Sequence, residues 1–146
     1  MVSFLWVMCN AQSADAKMAC AFKDEMLALD TRAMQSQLMV AALSCGEHKK
    51  YNEFVKKFSA DLIESSSNLK NYFSRNYKSD AEGQMNKFIT ALANEASKKS
   101  LNQNSDKFCA AESKLFEEIK IVKKQKVSEF AKKREFASLH NVSSCD

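Results

Sequence analysis

The chain has 146 residues, no proline, two glycines, five cysteines and a formal net charge of +4. Such a composition excludes a β-rich fold, whose turns need residues that tolerate positive φ or pre-set a bend. The abundant Ala, Lys, Glu, Leu, Met and Gln are good helix formers, and the length suits one domain with one core.

Residues 1–16 read as a secretory signal: an apolar run over 2–9, then Asn10-Ala-Gln-Ser, then the small-x-small site Ala14-Asp15-Ala16. No Lys or Arg leads the run, so either the signal is atypical or the true start lies upstream. The run is too short for a membrane anchor, which needs about 20 apolar residues. Bulky Met8 before Cys9 argues against a lipoprotein site. Cleavage after Ala16 discards Cys9 and leaves Cys20, Cys45, Cys109 and Cys145. An even set in an exported chain, periplasmic or extracellular, reads as two disulfides preserved on the oxidising side of a membrane. The alternative is a cytosolic protein with an ordinary N-terminal arm and five reduced thiols.

The periodicity predicts a first helix over 19–45, closed by Gly46 at the position that favours a left-handed cap. Its stripe is Cys20, Asp24, Leu27, Thr31, Met34, Leu38, Ala41 and Cys45, widened by Phe22, Met26, Leu29 and Val40. A second helix over 49–77 carries Tyr51, Val55, Phe58, Leu62, Leu69, Phe73 and Tyr77, with Phe54 and Ile63 beside them. Ser65-Ser66-Ser67 should bend or break it, because these hydroxyls compete for backbone hydrogen bonds. Ser79 and Glu82 form a capping-box pattern that opens a third helix to about residue 100, with Met85, Phe88, Ile89, Leu92 and Ala96 inward. A fourth helix begins near Asp106 with Asn104 or Ser105 as cap, and its stripe is Phe108, Leu115, Phe116, Ile119 and Val122. It either continues through Val127, Phe130 and Phe136 or breaks near Lys123-Lys124. The expected fold is all-α: an up-down four-helix bundle, five-helix if the last segment breaks, forming a single domain over 17–146.

An up-down trace places the end of the first helix beside the start of the fourth, and the chain terminus beside the start of the first. That pairs Cys45 with Cys109 and Cys20 with Cys145. Cys20 and Cys45 lie about 37 Å apart along a continuous helix, too far to bond each other. The pairing Cys20–Cys109 with Cys45–Cys145 stays open and requires another helix arrangement. A zinc site is disfavoured, since no two cysteines are close in sequence and neither histidine falls at ligand spacing.

Chemistry is sparse. His48 and His140 fall in expected exposed connectors, and the sequence holds no Gly-rich phosphate loop, Gly-x-Ser-x-Gly elbow or His-Glu-x-x-His. No catalytic residue, metal ligand or cofactor is assigned, and the protein is expected not to be an enzyme. Asp24, Glu25, Asp30, Glu117 and Glu118 read as solvated helix faces. Asp24, Thr31 and Gln37 lie near the inward face of the first helix, where a polar row either builds a ligand site or forms hydrogen-bonded core. Met18, Met26, Met34, Met39 and Met85 read as core filler. The penultimate position of Cys145 excludes a prenylation box.

The charge is concentrated. Lys120, Lys123, Lys124, Lys126, Lys132, Lys133 and Arg134 oppose Glu129 alone over 119–134, and Lys49, Lys50, Lys56 and Lys57 form a second cluster. Such a surface attracts an acidic protein or an anionic surface. Nucleic acid is disfavoured because the bases are nearly all lysine and an exported protein rarely meets it.

The segment 29–45, with Tyr51-Asn-Glu-Phe54, Tyr72-Phe-Ser-Arg75, Ala93-Asn94-Glu95 and Phe108-Cys109, resembles a group of small exported helical proteins of alphaproteobacteria. The resemblance implies export and a four-cysteine framework, and it carries no activity. The leading expectation is therefore an exported, non-enzymatic binding protein, a secreted effector being one form of it. Its contacts would be the basic residues above and an aromatic rim of Tyr51, Tyr72 or Tyr77. The alternative is a carrier that holds a small apolar ligand between helices near Met34, Leu38 and Phe58.

Overall fold

The computed structural model describes residues 19–134 and 136–145; the expected signal over 1–16 lies outside them, as does Met18. The chain forms α1 (Lys23–Cys45), α2 (His48–Lys57), α3 (Ser59–Tyr77), α4 (Ala81–Asn102), α5 (Ser105–Lys120) and α6 (Val127–Lys133). Short 3-10 turns cover Lys78–Asp80 and Phe136–Leu139. The fold is all-helical, and the β feature among the described residues is an isolated parallel bridge between Ala21 and Ser144.

That bridge explains why α1 starts at Lys23 rather than 19. The Ala21 amide donates to the Ser143 carbonyl and the Cys145 amide to the Ala21 carbonyl, each at 2.9 Å, so this backbone is committed to the C-terminal segment. The Phe22 amide donates to Glu25 Oε2 at 2.9 Å, which satisfies one free donor at the helix start. At the other end Gly46 takes φ 71°, the left-handed cap the sequence predicts.

The expected break at Ser65-Ser66-Ser67 does not occur. All three serines lie inside α3, and the interruption falls at Phe58, whose φ of −104° leaves the helical range. Hydrogen bonding runs through the bend, from the Phe58 amide to the Phe54 carbonyl and from the Leu62 amide to the Phe58 carbonyl. The bend keeps Phe54 and Phe58 in the core while α2 turns toward α5. The Ser79–Glu82 capping box is also absent. The Lys78–Asp80 turn precedes α4, and the Asp80 carboxylate reaches Gln84 Nε2 at 2.6 Å instead. Asn104 does cap α5, accepting from the Asp106 amide at 2.9 Å.

Of the two readings of the last segment, the broken one holds. Lys57 Nζ donates to the carbonyls of Lys120 (2.6 Å) and Val122 (2.7 Å), satisfying helix-end acceptors that a further turn would have used. Gln125 then adopts φ 66°, which an α-helix of L-residues cannot continue through.

One contiguous core holds the molecule together. α1 packs against α2, α3, α4, α5, α6 and the Phe136–Leu139 turn. Its small residues Ala28, Ala33, Ala41 and Ala42 are buried beside Leu29, Met34 and Leu38, so neighbours approach it on several sides. This central position, rather than one apolar stripe, accounts for its buried polar residues. Leu27 of the expected stripe is half-buried and Asp24 exposed. Phe22 and Ile63, expected inward, are 51% and 72% exposed.

Two disulfides tie the ends. Cys45, the last residue of α1, bonds Cys109 in the second turn of α5, with Cα atoms 5.5 Å apart. Cys20 bonds Cys145 with Cα atoms 4.9 Å apart, beside the Ala21–Ser144 bridge. Both separations suit an unforced bridge.

Candidate functional site

The seven basic residues singled out in the sequence are all exposed. They do not share one helix face: Lys120 ends α5, Lys123, Lys124 and Lys126 sit in the following connector, Lys132 and Lys133 end α6, and Arg134 follows it. Lys126 pairs with Glu129 at 3.1 Å, and Arg134 pairs with Glu118. Lys120, Lys123 and Lys124 make no ion pair among the described residues.

Lys120 instead joins the second basic cluster across a groove of about 390 Å³ between α2 and α5. Its floor is buried Phe54, Phe58, Phe116 and Ile119. Its rim is Lys49, Lys50, Lys57 and Lys120, against Glu53 and Glu117. Two of the rim lysines are structural. Lys57 caps α5 as described, and Lys50 Nζ donates to Ser113 Oγ at 2.7 Å and lies 3.5 Å from Glu117. They brace the walls, which leaves Lys49 and Lys120 to meet an incoming group. Both lysine clusters are legible in the sequence, but the placement of Lys120 opposite Lys49, Lys50 and Lys57 over an apolar floor is not, because it depends on the bend at Phe58.

The expected aromatic rim does not form at Tyr72. Tyr72 is fully buried, and its hydroxyl donates to the Ala19 carbonyl at 2.6 Å. Burial pushes its phenol up to about 12, aided by Tyr77 and Glu25 and opposed by Arg75. Tyr51 and Tyr77 are half-buried against the core. Arg75 spans the same region: its guanidinium donates to Glu25 from Nε (2.9 Å) and Nη2 (2.5 Å) and to the Cys20 carbonyl, and it covers the Phe22 ring. Burial by itself would raise the Glu25 pKa. The Arg75 hydrogen bonds, the Phe22 amide and the Arg75 charge together outweigh it and hold the carboxyl below its usual 4.5.

His48 is exposed, but His140 is buried, against expectation, and so is Asp30. His140 Nδ1 accepts from the Val142 amide at 3.1 Å, so its proton sits on Nε2 and is donated to Asp30 Oδ1 at 2.8 Å. A His–Asp pair elsewhere serves as a general base for a nucleophile. Here the second nitrogen is already occupied by the backbone, and the pair is a hydrogen-bonded strut.

Of the inward polar row, Thr31 and Gln37 are hydrogen-bonded core and Asp24 is exposed. Thr31 Oγ1 donates to the Leu27 carbonyl at 2.7 Å. Gln37 donates from Nε2 to Glu112 Oε1 at 2.7 Å and accepts from Lys99 Nζ at 3.2 Å. Glu112 is 3% exposed, and its Oε2 has no hydrogen-bond partner among the described residues. Burial pushes its pKa up, against the opposing pull of Gln37 and Lys99. Glu112 and Lys99 were not singled out in the sequence. The available signal was spacing: Glu112 falls on the stripe of Phe108, Leu115 and Ile119, where a carboxylate is out of place.

Met34 and Leu38 are sealed in the core, whereas Phe58 faces the α2–α5 groove. Among those residues no helix is long and apolar enough to cross a membrane. In comparison with known proteins, no family model matches the chain, no curated protein matches it, and no solved structure matches it.

Proposed function

We propose that the protein is an exported, non-enzymatic binding protein that seats an acidic amphipathic segment of a partner protein in the groove between α2 and α5. The observation that carries this reading is the pairing of an apolar floor with a lysine rim: Phe54, Phe58, Phe116 and Ile119 below, Lys49 and Lys120 above. A helix or turn with one or two apolar anchors flanked by Asp or Glu matches it in shape and charge. Exposed Lys123 and Lys124, just past the end of α5, extend the positive field and favour fast encounter with an acidic partner. Export is supported by the two disulfides, which persist on the oxidising side of a membrane. We read the helices as an up-down bundle wrapped around α1, an arrangement consistent with cysteines joined at the chain ends and between α1 and α5.

The test uses a panel of acidic amphipathic helical peptides titrated into the isotopically labelled protein. Binding should weaken as salt rises, shift amide signals of α2 and α5, and fall at least tenfold on joint Lys49→Glu and Lys120→Glu substitution. Shifts confined to other helices, or binding indifferent to the substitution, would overturn the reading. Binding of anionic phosphatidylglycerol vesicles in place of every peptide would replace the protein partner by a lipid surface. Export is checked by mass spectrometry of protein recovered from the native host: a mature N-terminus near Lys17 with two disulfides supports it, and an intact Met1 with five free thiols opposes it.

A further inference from the structure

A second cleft, of about 330 Å³, lies where α1, α4, α5 and the segment after α6 converge. Gln37, Lys99, Glu112 and Arg134 supply its polar wall, and Leu115 and Phe136 part of its apolar wall. We propose that this cleft binds a small zwitterion with an apolar side chain, an α-amino acid, whose ammonium group bonds Glu112 and whose carboxylate pairs with Lys99.

Glu112 carries an orphan acceptor. Glu112 Oε1 is satisfied by Gln37, but Oε2 is buried and accepts no hydrogen bond among the described residues. A buried carboxylate oxygen without a donor is costly, and native proteins rarely leave one without a reason. The raised pKa of this carboxyl has the same origin, since burial disfavours its charge more than Gln37 and Lys99 restore it. A cationic donor in the cleft, met by a rotation of the Glu112 carboxylate toward it, would supply both the missing hydrogen bond and the missing charge.

The surrounding charges narrow the ligand. A simple anion would meet the Glu112 carboxylate, and a simple cation would meet Lys99 and Arg134. Arg134 is engaged by Glu118, so Lys99 is the cation left to bind. Its Nζ donates one hydrogen to Gln37 Oε1 and has two more to offer. Gln37 thus holds the acid and the base on either side of one amide, at the spacing of two hydrogen bonds. A molecule that carries both charges a few bonds apart answers both. Leu115 and Phe136 leave the remaining wall for an apolar side chain, and the volume falls in the range of small-ligand pockets.

The site is separate from the α2–α5 groove, and calorimetry tests it with three probes: L-leucine, leucinamide lacking the carboxylate, and 4-methylpentanoate lacking the ammonium. L-leucine should bind saturably at one site, with each truncated probe at least tenfold weaker. Glu112→Gln should weaken L-leucine at least tenfold without lowering the melting temperature, which separates lost binding from lost folding. Lys99→Met should weaken it about tenfold and leave leucinamide unaffected. The proposal is overturned if L-leucine does not bind, if 4-methylpentanoate binds as tightly, or if Glu112→Gln leaves the affinity unchanged.

Discussion

His140 and Asp30 stand 110 residues apart in sequence and meet at 2.8 Å in the interior, joining the C-terminal segment to the central helix. His140→Ala leaves the buried Asp30 carboxyl without its hydrogen-bond donor, and should cost roughly 3 kcal/mol. Asp30→Asn keeps an acceptor for the Nε2 proton and should cost about 1 kcal/mol. Urea unfolding of the two variants checks the order; equal losses would mean the strut is not what holds the segment.

The Cys20–Cys145 bridge lies beside the Ala21–Ser144 backbone pairing. Replacing both cysteines with serine should remove about 4 kcal/mol on chain-entropy grounds. It should also speed hydrogen exchange at the Ala21 amide while α1 and α3 stay protected. Replacing Cys45 and Cys109 should lower global stability by a similar amount without the local effect at Ala21. Exchange followed by NMR separates the two.

Glu25 is an acid whose folded pKa lies below its usual 4.5. Its contribution to stability is therefore complete above pH 4.5 and is lost as pH falls through the depressed value. A carboxyl-detected NMR titration should place its midpoint below 4.5. Arg75→Met should move that midpoint above 4.5, because burial, the opposing influence, is then largely unanswered.

Tyr72 shifts the other way, to about 12. The folded state prefers the neutral phenol, so stability is full below the usual phenol value of 10 and declines as pH rises toward 12. In an absorbance titration Tyr72→Phe should abolish the late, high-pH step. Persistence of that step would assign it elsewhere.

Glu112 is an acid with a raised pKa, so its ionisation works against folding as pH rises above the usual 4.5. Glu112→Gln removes that charge and should stabilise the protein at neutral pH by about 1 kcal/mol. The advantage should shrink toward pH 4, where the native carboxyl takes up its own proton. Thermal melts of both proteins across this interval measure it.

Features governed by near neighbours in the chain were legible without coordinates. The close of α1 at Gly46 needs only a residue that accepts positive φ, and the Asn104 cap needs only an amide two residues on. The cysteine pairing followed from helix lengths and short connectors. Features governed by a distant partner were misread. Periodicity placed Tyr72 on a rim and His140 in an exposed connector because their acceptors, the Ala19 carbonyl and Asp30, belong to other parts of the chain. The serine run looked like a break, yet packing of Phe54 and Phe58 moved the bend to Phe58.

By itself the sequence determined the helical class, through the absence of proline and scarcity of glycine, and the four-cysteine frame within the described chain. Those follow from local backbone preference and from covalent chemistry. Tertiary structure alone decided that α1 is enclosed by its neighbours, that Lys120 faces Lys49, Lys50 and Lys57 over Phe54 and Phe58, and that Glu112 is buried with one oxygen unpaired among the described residues. The reason is physical: burial and charge environment belong to a position in space, and helices distant in sequence create that position only when they pack.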